Sequence, residues 1–389
     1  MRIGMVAGEA SGDLLGSLLI EALKARYPNA QFVGIGGPKM ESLGFESWFD
    51  MERLSVHGYI DALKRYRELS RMRRTLVKRL IEHRLDAFIG IDAPDFNLWI
   101  EKRMKAADVP SIHYVSPSIW AWRAGRIKRI RESTDEVLAL FPFEPAIYEK
   151  ERVPVTYVGH PLADYIPLED CKAAARARIN CHPEALIFSL LPGSRESEVA
   201  HLAPVYIDTA RRVLARFPEA RFLVPFANRA SRQIFEDALW KAEARELPFS
   251  LMFGHSHEAI AASDVVLVAS GTATLEAALF KRPMVITYRM SGLSYWLMKR
   301  MAYLPYVGLP NVLAGRFVVP EFIQHDATAE NLSQALINWV LDKPAREKLD
   351  QFYHSLHLQL QQNNAERAAN AIAAHLRQGR SWQAEPQPA

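Results

Sequence analysis

The chain has little cysteine. Cys171 and Cys181 are the only two in 389 residues, and they form no CxxC pair. A disulfide framework or a cysteine-based zinc site is therefore not expected, which fits a reducing compartment. Long apolar runs are missing as well: no uninterrupted stretch approaches the length of a membrane-spanning helix, so any membrane contact is expected at the surface. No basic region leads from Met1 into a long apolar stretch, and a signal peptide is not expected. Several catalytic signatures are absent too. Gly34-Ile35-Gly36-Gly37 begins like a dinucleotide fingerprint, but Lys39 stands where the third glycine belongs. No Gly-Lys dipeptide occurs, which excludes the usual P-loop lysine, and neither GxSxG nor HExxH is present. His255 and His257 flank Ser256 with no third metal ligand nearby in sequence, so a helix-start or surface role is expected for them. Hydride transfer, P-loop hydrolysis, serine hydrolysis and zinc chemistry thus lose their usual marks.

What is present is ordinary globular material. Hydrophobic residues make up 49% and charged residues 24%, enough to bury sizeable cores, and 389 residues predict two domains. The formal charge of +4 mildly favours anionic partners.

Short apolar runs alternate with helical patterns in both halves. In the first half, residues 2–7, 31–35, 87–91, 111–115, 136–140 and 155–158 read as strands, with a turn at 8–13 and a helix from Leu14. In the second, 186–191, 221–224, 250–252, 265–268 and 284–287 do so. Such alternation predicts α/β folds with parallel sheets covered on both faces. Residues 159–170, with Pro161 and Pro167, read as the linker, and the pattern after Asp326 is helical.

Two segments of the second half share one design of strand, small-residue turn and helix: Leu191-Pro192-Gly193-Ser194-Arg195 and Ala269-Ser270-Gly271-Thr272. Helix starts of this kind offer unpaired N–H groups at the positive end of the dipole, which suits a diphosphate, and Arg195 adds a planar cation. Simple capping by Ser194 and Ser270 is the other reading. Glu276 lies one helical turn beyond Thr272, where it could accept from ribose hydroxyls or merely face solvent. In the first half, Asp92 and Asp95 follow a strand end, the usual place for ligands in open α/β sheets. Asp95 could cap the next helix, which leaves Asp92 the better candidate base; Gly8, Ser11 and Asp13 follow the first strand.

Residues 113–123 cluster His113, Tyr114, Trp120, Trp122 and Arg123, a set that could contact a sugar, a lipid phosphate or a base, or simply pack. Apolar residues recur at helical spacing over 60–81 amid many lysines and arginines, and Tyr295-Trp296-Leu297-Met298 adjoin Lys299 and Arg300. Both stretches fit an anionic membrane interface, or core helices with solvated basic faces.

Val6-Ala7-Gly8-Glu9-Ala10-Ser11-Gly12-Asp13, Gly90-Ile91-Asp92-Ala93-Pro94-Asp95-Phe96-Asn97, residues 113–123, 191–195 and 269–276, and Leu309-Pro310-Asn311-Val312-Leu313-Ala314-Gly315 together resemble the lipid-A-disaccharide synthases. The resemblance implies a GT-B glycosyltransferase fold, α/β with two Rossmann-like domains and C-terminal helices crossing back to the first. It implies an acceptor and lipid domain at 1–165, a UDP-sugar domain at 166–345, returning helices at 346–377 and a disordered tail at 378–389. It implies condensation of UDP-2,3-diacylglucosamine with 2,3-diacylglucosamine 1-phosphate (lipid X), with release of UDP, in the lipid A biosynthesis of a Gram-negative bacterium; the alternatives are a UDP-N-acetylglucosamine 2-epimerase-like enzyme of the same fold and a non-enzymatic basic lipid-binding protein. Asp92 would then be the catalytic base, with Gly193, Ser194, Arg195, Ser270, Gly271, Thr272, Glu276, Asn311, Gly8, Ser11 and Asp13 binding substrate. No cofactor, metal or nucleic acid is expected. The implied location is the cytoplasmic face of the inner membrane, held peripherally, and a homodimer is among the expectations.

Overall fold

Buried on both faces at the sheet centres, as at Ala87–Ile91 and Val265–Ala269, the apolar runs form strands. In the first half these are β1 (Arg2–Ala7), β2 (Gln31–Ile35), β3 (Phe45–Ser47), β4 (Ala87–Ile91), β5 (Ser111–Tyr114), β6 (Glu136–Ala139) and β7 (Val155–Tyr157). In the second they are β8 (Ile187–Leu191), β9 (Arg221–Phe226), β10 (Phe249–Phe253), β11 (Val265–Ala269), β12 (Met284–Tyr288) and β13 (Glu321–Ile323). The computed structural model describes all residues except 55–58, 121–124, 291, 293–294, 296–302 and 380–389, and omits the side chains of 59–66 and 377–379. It divides into two compact units, Met1–Asp164 with the segment from Leu360 onward, and Tyr165–Gln359.

Each unit is built on one wholly parallel sheet. The first has the order β3-β2-β1-β4-β5-β6-β7 and the second β10-β9-β8-β11-β12-β13. In unit 1 the chain steps outward from β1 to β3, then crosses to β4 and steps the other way; in unit 2 it does the same from β8 to β10 and then from β11. Strand order therefore reverses between β1 and β4 and again between β8 and β11. At such a reversal the following helices leave on opposite faces and open a crevice at the carboxyl ends of the strands.

The core of unit 1 draws on both ends of the chain. Ile3, Met5, Leu19 and Leu23 pack in one cluster with Ala368, Ala369, Ile372 and Leu376 of the helix Asn364–Gly379. Fully burying one such leucine or isoleucine is worth about 1.5–3 kcal/mol. Polar contacts fix the returning segment: the Tyr114 hydroxyl donates to Asn364 Oδ1, Asn364 Nδ2 donates to the Gly159 carbonyl at 2.8 Å, and Asp164 accepts from the Asn364 N–H at 2.6 Å. The helix Lys343–Leu360 belongs to unit 2 up to Gln359, so the return begins at Leu360. The tail expected from residue 378 lies, from 380 onward, outside the described residues.

Three local features differ from the sequence expectations. The turn expected at 8–13 is already helical from Ala10, because the Asp13 N–H reaches the Glu9 carbonyl at 3.0 Å. The linker region contains the short helix Pro161–Tyr165. The sheets also carry the three-residue edge strands β3 and β13, too short to leave an apolar pattern.

The helix Tyr59–Glu82 bears the basic stripe expected over 60–81. From residue 67 on most of its apolar positions face inward, Ile81 excepted: Met72, Leu76, Val77 and Leu80 are buried, three of them in a cluster with Val6, Phe88 and Ile100. That half is a core helix with a solvated basic face, while the side chains of 59–66 lie outside the described residues. The second expected membrane stretch, Trp296 to Arg300, is outside them as well. No described helix is long and apolar enough to cross a membrane.

Candidate functional site

In unit 1 the strand reversal brings the ends of β1 and β4 together. Ala7 pairs with Ile91, so Gly8 and Asp92 leave the sheet side by side; a Cβ on Gly8 would lie 3.0 Å from Ala93 Cβ. Asp92 and Ala93 both adopt left-handed backbone conformations, at φ 51° and 43°. Left-handed conformations cost an L-residue roughly 1–2 kcal/mol each, so the surroundings must impose them. The Asp92 N–H donates to the Tyr114 carbonyl at 2.8 Å. Asn97, fully buried on the helix Pro94–Lys105, donates from Nδ2 to the Asp92 carbonyl at 2.8 Å and also contacts the Val6 and Ile91 carbonyls. The Asp92 backbone is thus pinned from two sides, and its carboxylate is half-buried.

Behind this strand end lies a buried polar chain. His113 pairs in register with Gly90, and its Nδ1 sits 2.7 Å from Glu101 Oε1; both side chains are fully buried. Gly90 is required here, since a Cβ would come within 2.0 Å of Glu101 Oε1 and 2.9 Å of Asn97 Cβ. Burial pushes the Glu101 carboxyl up, with His113 pulling the other way; at His113 burial pulls down, but Glu101 and Asp92 together overcome it and hold the imidazole above the usual range.

The other first-half candidates divide. Ser11 is exposed in the first turn of the helix Ala10–Arg26. Asp13 is buried, and its carboxylate accepts the N–H groups of Gly37, Lys39 and Met40, each at 3.0 Å. It holds the start of the helix Pro38–Ser42. Asp95 is exposed and pairs with Arg126 through both oxygens at 2.7–2.8 Å. Trp120 donates from Nε1 to Glu144 at 3.2 Å and packs edge-on against Phe143 at 5.4 Å; Trp122 and Arg123 lie outside the described residues. Glu144 is buried and also accepts from the Leu140 and Phe141 N–H groups; burial raises its carboxyl to about 7.

In unit 2 the reversal joins β8 to β11. Leu191 pairs with Val268, so Gly193-Ser194-Arg195 and Ser270-Gly271-Thr272 emerge next to each other. Gly193 takes φ 115°, and a Cβ there would lie 2.5 Å from Glu198 Oε2. That carboxylate, in the first turn of the helix Glu196–Arg216, accepts the Ser194 N–H at 3.2 Å and the Arg195 N–H at 3.4 Å, and Glu198 Oε1 lies 3.3 Å from Arg195 Nη1. An anion therefore already sits on these donors. In the neighbouring turn the Ser270 N–H donates to the Thr287 carbonyl at 2.8 Å and its hydroxyl to the Val307 carbonyl at 2.7 Å. Gly271 and Thr272 are exposed, and Thr272 opens the helix Thr272–Leu279, whose first N–H groups lack intrahelical acceptors.

Glu276 follows one turn later, its side chain only 18% exposed, with Oε2 3.6 Å from His257 Nε2. His257 does lie at a helix start, as expected, but its partner is 19 positions away on another helix, which nothing local in the sequence marks. The Glu276 carboxylate beside it raises the His257 imidazole above its usual range, against the effect of burial. Asn311 is fully buried and has no spare hydrogen-bonding capacity: Nδ2 donates to the Val319 carbonyl and to Glu321, and Oδ1 accepts the Val318 and Val319 N–H groups. With Glu321, which accepts the Val307 and Gly308 N–H groups at 2.9 Å, it supports the loop that receives the Ser270 hydroxyl.

The family model for lipid-A-disaccharide synthetase matches residues 3–376. A lipid-A-disaccharide synthase of Dechloromonas aromatica (strain RCB) is 60% identical over 373 residues, covering 96% of this chain and 98% of the relative. One from Azoarcus sp. (strain BH72) is 56% identical over 382 residues, covering 98% of each. Among solved structures, UDP-GlcNAc 2-epimerase from Neisseria meningitidis bound to UDP-GlcNAc aligns with a TM-score of 0.61 at 12% identity, over 97% of this chain and 100% of that one. At that identity the likeness shows a shared fold alone, whereas the sequence relatives carry the activity. The chain belongs to the lipid-A-disaccharide synthetase family and is a glycosyltransferase of lipid A biosynthesis.

Proposed function

We propose that this enzyme joins UDP-2,3-diacylglucosamine to 2,3-diacylglucosamine 1-phosphate, giving the β(1→6)-linked disaccharide 1-phosphate and UDP. One arrangement supports this above all: the two small-residue helix starts, at Gly193-Ser194-Arg195 and Ser270-Gly271-Thr272, end neighbouring strands at a strand reversal. Arg195 and the first N–H groups of the helix Thr272–Leu279 hold the diphosphate, and Glu276 accepts from the ribose hydroxyls.

The acceptor's 6-hydroxyl attacks the anomeric carbon of the donor while Asp92 takes its proton. The bond from that carbon to the diphosphate oxygen breaks, its electron pair leaves with UDP, and the configuration inverts. Arg195 and the helix-start dipole meet the charge that develops on the leaving group. Asn311 and Asp13 act here as supports for the turns around the site.

The enzyme works at the cytoplasmic face of the inner membrane as a peripheral protein. Support comes from the basic face of the helix Tyr59–Glu82 and from Trp99, which lies between the guanidinium groups of Arg73, at 4.2 Å, and Arg103, at 3.1 Å. Binding to anionic but not neutral vesicles checks the location. Purified enzyme with both lipid substrates should yield UDP and the disaccharide, and with UDP-N-acetylglucosamine alone should form no epimer. Epimer without disaccharide would replace this function with an epimerase.

A further inference from the structure

We propose that His257 is a positioning residue of the nucleotide site: it holds one carboxylate oxygen of Glu276, so that the other is presented to the ribose hydroxyls of a uridine nucleotide. The proposal rests on the assignment of Glu276 to the ribose and adds the group that aims it.

The two side chains come from separate helices. His257 lies in the first turn of Ser256–Ala262, which follows β10, and Glu276 in the second turn of Thr272–Leu279, which follows β11. Both helices start at the carboxyl edge of the same sheet. The imidazole packs edge-on against Phe280 at 5.4 Å, with the exposed Tyr165 ring tilted beside it at 6.0 Å. Its Nε2 faces Glu276 Oε2 at 3.6 Å, with side chains 30% and 18% exposed. The pair with His257 sets the direction in which the Glu276 carboxylate extends from its helix.

The charged groups facing His257 are Glu276, from the helix packed against it, and Glu258, the next residue on its own helix. Glu258 is also 3.6 Å from His255, whose side chain is 62% exposed. Both carboxylates favour the protonated imidazole. Nucleotide binding that uses Glu276 as an ionised acceptor therefore favours protonated His257 and takes up protons. Affinity is highest below the raised His257 pKa and falls as pH rises through it.

The test uses full-length enzyme and UDP, whose own ionisation is common to every variant. His257→Ala should weaken UDP binding roughly two- to fivefold, the range of a part-exposed ion pair, and raise KM for the UDP-sugar with kcat unchanged. His257→Gln keeps a donor without a titrating group, so it should restore most of the affinity and flatten its pH dependence. Unchanged affinity and pH dependence in His257→Ala, with weaker binding in Glu276→Ala, would overturn the positioning role alone. Unchanged binding in Glu276→Ala would overturn the ribose assignment and this proposal with it. Should either variant fail to fold, NMR titration of the His257 imidazole in the unmodified enzyme decides: its pKa should rise on saturation with UDP, and a constant value would refute the coupling.

Discussion

Glu101 Oε1 lies 2.7 Å from His113 Nδ1, with both residues fully buried behind Gly90, two positions before Asp92. Glu101 Oε2 and His113 Nε2 have no hydrogen-bond partner among the described residues, so each side chain depends on the other. Removing one member of a buried pair strands the other without compensation, at a cost of about 3–5 kcal/mol. His113→Ala should lower the urea midpoint accordingly, and Glu101→Met combined with His113→Leu should cost less than either single change. A double variant as unstable as the sum of the singles would show that the pair is not the source.

Asp92→Asn keeps a side chain that tolerates φ 51° but removes the base. Turnover should fall ~10²–10⁴-fold, while UDP binding and the thermal midpoint stay unchanged. Near-normal kcat in a transfer assay would remove Asp92 from the chemistry.

Arg195→Ala should weaken both UDP binding and turnover. Glu198 has the opposite effect, because its carboxylate sits on the Ser194 and Arg195 N–H groups and beside the Arg195 guanidinium. Glu198→Gln retains an acceptor oxygen but removes the charge that repels a diphosphate. UDP affinity should rise roughly three- to tenfold at low salt, with less gain at high salt. Calorimetric titration at two salt concentrations checks both signs.

Two buried groups of unit 1 give opposite pH dependences. Burial depresses His160 to about 4, so its contribution is full above about 6.5 and is lost as pH falls toward 4, worth about 3 kcal/mol in all. Burial raises Glu144 to about 7, so its contribution is full below the ordinary carboxylate value and is lost as pH rises through 7. Between about pH 4.5 and 6.5 the two offset each other. His160→Asn keeps an acceptor for the Leu162 N–H, made now by Nδ1 at 3.2 Å, and removes one side of this balance. Its urea midpoint relative to the parent should rise as pH is lowered from 7 to 5; a constant difference would contradict the assignment.

The strands were legible because a parallel strand covered on both faces is apolar throughout, as Val265–Ala269 is. The two turns were legible as strand-to-helix junctions because glycine and serine stand between an apolar run and a helical pattern in each. Roles that depend on distant partners were not. Nothing local marks Asp13 as the anchor of the Gly37 turn 24 residues away, or Asn311 as the brace for Val318 and Val319. Both side chains look like free polar groups until the fold supplies their partners. The same holds for His257 with Glu276, whereas the core duty of Leu76 and Leu80 is one of the two readings that their spacing among basic residues leaves open.

The helix Asn364–Gly379 completes the unit that Met1 begins. During synthesis the first sheet therefore leaves the ribosome with part of one face bare and waits for nearly two hundred residues of the other unit before its last helix arrives. Termination just before Leu360 would strand that face permanently, so shortened chains should be recovered as aggregates rather than as a working half-enzyme.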